Sequence, residues 1–222
     1  MKYPILGRER RRPIALSAVG TVLVLAFACV LFTLTVLAIQ PGLLPDTLAA
    51  FWEDKLLIPL NIFPVCVVLI VCYCLTGNAF SAAGIGGLIV NLLSYINLVK
   101  TDCRNDPFVP ADCALLREAA NAVGDYQLDL HWGTLAAILL LSAVCFALAY
   151  WSQTRRPRWY VRSIMALVVL AVFGASMVKV YPSGDIYDRR GVGTVKASKS
   201  NVPEVFRLCG FPYCFLHNYN LY

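Results

Sequence analysis

Side chains able to do chemistry are sparse in this sequence and concentrate in one stretch. Between Lys100 and Trp132, the acids Asp102, Asp106, Asp112, Glu118, Asp125 and Asp129 alternate with Lys100, Arg104 and Arg117. Carboxylates at this density could hold a divalent ion, but mixed with cations they more often form a solvated, ion-paired face. The two histidines, His131 and His217, have no acidic or thiol companions at metal-ligand spacing, so no metal site is expected. There is no GxSxG, phosphate-binding loop or dinucleotide fingerprint. Gly84-Ile85-Gly86-Gly87 lies in an apolar run, where close helix packing explains it. No catalytic residue is assigned. The nine cysteines show no CxxC pattern and lie mostly in apolar blocks, where thiols behave as small hydrophobes. Cys209 and Cys214 are expected to be free, and the pairing of Cys103 and Cys113 is left open.

Within the polar stretch Arg104 stands beside Pro107 and Pro110, which stiffen the backbone. A guanidinium there can grip a phosphate with two parallel hydrogen bonds, or it can form a salt bridge to Asp102, Asp106 or Asp112. Arg104, with Asn97 and Lys100 near it, forms the candidate lipid-binding set. Asp112 stands where a helix N-cap belongs. Leu116, Ala119, Ala120 and Val123 follow at helical spacing, and Gly124 provides a stop, which predicts a short amphipathic helix.

These residues interrupt a chain that is 59% hydrophobic and 14% charged, with a mean hydropathy of +0.67. One soluble core of 222 residues cannot hide that much apolar surface. The apolar residues fall in continuous blocks rather than in the period-two alternation of barrel strands, so the expected fold is all-α and polytopic. Five spans are predicted: Ile14 to Ile39, Leu56 to Leu75, Phe80 to Val99, Gly133 to Tyr150, and a fifth that has Arg162 just inside it and ends near Val178. Gln40 to Asp54 reads as a short loop with Phe51-Trp52 as an interfacial anchor. Thr76 to Asn78 reads as a tight turn. Pro59 falls in the first turn of the second span and Pro64 should bend it. Asn61 between them can satisfy a freed carbonyl or sit at the interface.

Basic residues set the orientation. The formal charge of +6 comes from cations clustered beside spans, which is a topology signal rather than a nucleic-acid footprint. Lys2, Arg8, Arg10, Arg11 and Arg12 share a face with Arg155, Arg156, Arg158 and Arg162, so that face is expected in the cytoplasm and the C-terminus outside. The organisation read from this is a cytoplasmic segment 1–12, a five-span domain 13–179 with an extracellular loop 100–132, and an extracellular tail 180–222. In the tail, 181–199 reads as a flexible linker. Val202, Val205, Phe206 and Cys209 then form the apolar stripe of a helix lying on the outer leaflet, ended by Gly210 and Pro212 and followed by an aromatic-rich end.

The five spans, the run Asn91 to Lys100 leading into Arg104-x-x-Pro107-x-x-Pro110-x-Asp112, the segment Asn121-Ala122-Val123-Gly124-Asp125-Tyr126 and a tail helix running into Gly210-Phe211 resemble the membrane part of the bacterial lipoteichoic acid synthase family. The resemblance covers nearly the whole chain. It implies an anchoring, lipid-positioning module in the bacterial cell membrane, with phosphatidylglycerol as a partner. It also implies a separate or downstream sulfatase-like domain that transfers glycerol phosphate using a threonine nucleophile and a divalent ion, manganese or magnesium. The chain reaches Tyr222 before any such domain, so it is expected to have no enzymatic activity and no cofactor of its own, as a truncated product or half of a split system. The alternative from a different class is a small transporter or channel subunit, against which stands the near absence of ionisable residues inside the spans.

Overall fold

The computed structural model describes residues 14–40, 44–114, 130–154, 157–182 and 202–219. They form an all-α bundle in which five helices are long and apolar enough to cross a membrane. These are α1 (Ala18–Ile39), α3 (Leu57–Thr76), α4 (Ala79–Arg104), α5 (Trp132–Trp151) and α6 (Trp159–Lys179). Three shorter helices complete the set: α2 (Leu44–Glu53), α7 (Val202–Cys209) and α8 (Phe211–Asn218). Ile14–Leu16 pairs in parallel with Ser152–Thr154, which ties the start of α1 to the α5–α6 connection. That end of the bundle is the N-terminal face. By chain alternation α2, the α4–α5 loop and α7–α8 belong to the opposite end, the tail face.

Local chemistry explains the span ends. Ser17 caps α1 through a bond from Gly20 N to its hydroxyl (3.1 Å), so the helix begins after the paired Ile14–Leu16. Gly77, at φ 66°, closes α3, and Asn78 Oδ1 accepts from Phe80 N and Ser81 N at 2.9 and 3.2 Å to open α4. The expected tight turn is therefore present. Pro64 lies inside α3, which runs on through it.

α4 is the centre of the bundle, with 56% of its span buried against none of α6. Its glycines are the reason it can sit there. A Cβ at Gly87 would strike the Phe32 ring, one at Gly86 would lie 2.8 Å from Leu69 Cδ2, and one at Gly84 3.1 Å from the Phe146 ring. Three neighbouring helices approach the α4 backbone as the small-residue stretch predicts.

The structure also corrects several expectations. Gln40 to Asp54 is not a plain loop but holds α2, with Pro45 in its first turn, where the missing N–H costs nothing. Leu44, Thr47, Leu48 and Phe51 follow helical spacing. Thr47 and Phe51 are buried, whereas Trp52 is 78% exposed. The third span does not end at Val99 but runs to Arg104, where Asn105 in the left-handed region (φ 50°) stops it. Lys100, Asp102 and Arg104 are thus helical, and the loop expected over 100–132 begins at Asn105. Asp112 opens no helix among the described residues. It lies in a 3-10 turn, Pro110–Cys113, where its carboxylate accepts from Val109 N at 2.7 Å. The helix expected over 116–123 lies outside the described residues, as do segment 1–12 and residues 183–199 of the linker.

The tail differs most. α7 ends at Gly210 as expected, but a second helix, α8, follows, and both pack on protein rather than on lipid. Val205, Phe206, Cys209, Phe211, Tyr213 and Cys214 join one core with Val36, Leu57 and Val65. Cys209, expected to face lipid, is fully buried, and neither it nor Cys214 is in a disulfide, as expected. Tyr181 is fully buried as well.

Candidate functional site

Two stripes of α4 carry the residues that matter here. Asn97, Lys100 and Arg104 stand at i, i+3 and i+7 on one side. Asn91, Leu98 and Asp102 stand at i, i+7 and i+11 on another, since Asp102 and Arg104 are two residues, or about 200°, apart around the helix.

The first stripe receives the loop. Lys100 Nζ donates to Asp106 Oδ2 (2.9 Å), Asp112 Oδ2 (2.8 Å) and Pro107 O (2.9 Å), with 16% of its side chain exposed. Asn97, 1% exposed, accepts from Phe108 N through Oδ1 at 2.8 Å. Phe108 then stacks on Phe215 of α8, with ring centroids 5.7 Å apart. Of the three residues expected at lipid, Asn97 and Lys100 therefore shape the loop, and Arg104 lies exposed on the last turn of α4, where a cation also complements the helix dipole. Asp106 and Asp112 pair with Lys100, and Asp102 with His131.

The second stripe lines a cleft of about 720 Å³ between α1, α4 and α5. Leu98, Ile138 and Leu141 give it apolar walls, while Thr35, Gln40, Asn91, Asp102 and Thr134 supply polar groups. Thr35 Oγ1 donates to Asn91 Oδ1 at 2.8 Å, and His131 Nε2 meets Asp102 Oδ2 at 2.7 Å. This mixture of apolar wall and few polar groups is typical of a ligand site. From α1 it takes only Thr35, Ala38, Ile39 and the following Gln40, so it lies where span meets interface.

Two amides from the spans fasten the tail. Asn61, fully buried, donates from Nδ2 to Cys209 O and Leu57 O, both at 2.9 Å, and accepts from Tyr213 N at 3.2 Å. Gln40 Nε2 donates to Arg207 O (3.2 Å) and Thr47 Oγ1 (3.1 Å), while its Oε1 accepts from Phe211 N (3.2 Å). Both amides act on the backbone around Gly210. That residue holds φ +86°, and a Cβ on it would strike the Asn61 amide. Tyr181 Oη donates to Leu60 O at 2.9 Å, and its carbonyl meets His217 Nδ1. Burial pushes the phenols of Tyr181 and Tyr213 well above the usual tyrosine range, and nearby Cys214 and Cys209 add to this for Tyr213.

Sequence reasoning missed this clamp. From sequence Asn61 reads as a carbonyl partner or an interfacial residue, and Gln40 reads as loop. The available signal was an amide at a span end, which needs partners once buried. No three metal-ligating side chains converge among the described residues.

Fold and site together define a five-span helical membrane protein with a polar cleft and a docked tail at one end. Comparison with protein-family models, curated proteins and solved structures found no match to this chain.

Proposed function

We propose that this chain is a membrane-anchoring and lipid-positioning module of the kind its sequence resembles, serving a phosphoglycerol-transfer domain that is separate or downstream. In this reading the N-terminal face is cytoplasmic and the tail face is the outer face of a bacterial cell membrane. Arg104 holds the phosphate of phosphatidylglycerol, and Asn97 and Lys100 build the loop beside it. The observation that carries the reading is the tail: α7 and α8 are fastened through Asn61, Gln40 and Tyr181 to the end of the bundle that also presents Arg104. Chain leaving α8 therefore starts from a fixed place above the membrane, as a domain working on lipid headgroups requires.

Native mass spectrometry of retained phosphatidylglycerol tests the reading, beside a thermal melt of each variant. Charge-assisted hydrogen bonds to one phosphate are worth about 1.5–3 kcal/mol. Arg104→Ala should release the lipid held at Arg104 and Arg104→Lys part of it, since lysine keeps the charge but not the planar fork. Unchanged retention in Arg104→Ala would sink the lipid role. Metal-dependent release of glycerol phosphate by this chain alone, abolished by a point mutation within it, would overturn its non-catalytic part.

A further inference from the structure

Gln40 belongs to two structures at once: it lines the cleft between α1, α4 and α5, and its amide holds the α7–Gly210–α8 turn. A second link runs from the other wall. α4, which contributes Asn91, Leu98 and Asp102 to the cleft, also holds Phe108 through Asn97, and Phe108 stacks on Phe215. Two of the three helices that shape the cleft are thus linked to the tail, α1 through the Gln40 that follows it and α4 through Phe108.

We infer that the cleft holds the polar head and first carbons of one membrane lipid, and that its occupancy and the seating of α7–α8 are coupled through Gln40. The occupant follows from level and lining. The cleft extends about 16 Å along α4 from Asn91 to Asp102 but reaches only the last turn of α1, which places it at the headgroup boundary. Thr35, Asn91, Thr134 and Asp102 offer hydroxyl, amide and carboxylate groups, which suit a head bearing hydroxyls. Coupling follows because Gln40, 4% exposed, is shared by tail and cleft: an unseated tail breaks its bonds to Arg207 O and Phe211 N and frees the α1 and α4 walls to move. By linkage, a lipid that prefers the seated arrangement also strengthens it.

The inference rests on the reading that the tail face handles lipid, yet the two fail separately. Delipidated protein in detergent is supplied with phosphatidylglycerol, whose head carries hydroxyls, or with phosphatidylcholine, whose head carries none. Maleimide labelling of the buried Cys209 and Cys214 is then followed by peptide mass spectrometry. Phosphatidylglycerol should slow their labelling at least about fivefold, the lower end of ordinary site-to-site coupling. In Gln40→Leu, where Asn61 and Tyr181 still hold the tail, that protection should vanish. Gly210→Ala, which lies outside the cleft, should unseat the tail and lower lipid retention by a similar factor. Labelling of wild type that neither lipid changes would overturn the coupling, as would Gly210→Ala unseating the tail with lipid retention intact. Equal protection by phosphatidylcholine would overturn the hydroxyl recognition. Arg104→Ala, measured in parallel, reports on the phosphate contact alone.

Discussion

At the scale of single residues, backbone proximity and buried amides matter more than charge. Gly87→Ala should lower the melting temperature, because overpacking a tight contact costs about 1–3 kcal/mol and the Phe32 ring sits where the new methyl must go. Gly174→Ala is the control: nothing lies within 4 Å of its Cβ, so helix propensity alone operates and the melt should hold or rise slightly. Equal losses in the two variants would show that α4 is not the tightly packed centre. Asn61→Leu is expected to be more selective. It keeps the branched shape, though with larger methyl groups, and removes the bonds to Cys209 O and Tyr213 N, at about 1–3 kcal/mol for each buried polar group affected. Limited proteolysis should then cut α7–α8 faster while the spans stay resistant. By contrast, the Arg207 pairs with Asp46 and Glu204, at 3.6 and 3.8 Å, are exposed and loose, so Arg207→Ala should change little.

At the scale of elements, the tail is a docked pair of helices whose attachment depends on protonated phenols. The sign is fixed by burial. Tyr181 and Tyr213 have folded-state pKa values raised above the ordinary value of about 10. The stability they contribute is fully present below that ordinary value and falls away as pH rises beyond it, because the undocked tail can ionise first. Alkaline titration should therefore show tyrosinate absorbance appearing together with faster labelling of Cys209 and Cys214, while the spans remain helical by circular dichroism. Ionisation near pH 10 without any change in labelling would mean that the phenols are not sealed by docking. The Lys100 knot behaves differently. Asp112, with 23% of its side chain exposed, loses its cation in Lys100→Met, and the Pro107–Asp112 loop should loosen by hydrogen exchange while α4 itself holds.

At the scale of the whole molecule, five spans put the start of α1 and the α7–α8 tail on opposite faces, and the proposed orientation is directly testable. Cys103 and Cys113 are exposed on the tail face and serve as natural reporters. A membrane-impermeant maleimide should label both in intact cells, whereas a cysteine placed at Arg158 should react only after permeabilisation. Labelling of Cys103 and of the Arg158 position from one side would remove the five-span arrangement altogether. The reverse pattern would keep the bundle and invert it, and the proposed outward lipid site would go with it.

Hydrophobic run length was enough to determine the five spans, because a helix satisfies its own backbone and any apolar run of about 20 residues can cross a bilayer alone. The Gly77-Asn78 turn and the close approach at Gly84, Gly86 and Gly87 were legible for the same reason: each is a local property of the residues concerned. The ends of elements were less legible. Pro45 and Gly42 read as loop although α2 begins among them, and Lys100 read as loop although the charged end of α4 projects past the apolar part of its span. The joint between tail and bundle was decided only in three dimensions. Asn61 meets Cys209 from 148 residues away and Gln40 meets Phe211 from 171. An amphipathic stripe states that a helix must cover its apolar side but not whether lipid or protein will cover it. Here two span-end amides and the left-handed glycine between α7 and α8 gave protein the better fit, and Gln40 thereby came to serve both the clamp and the cleft.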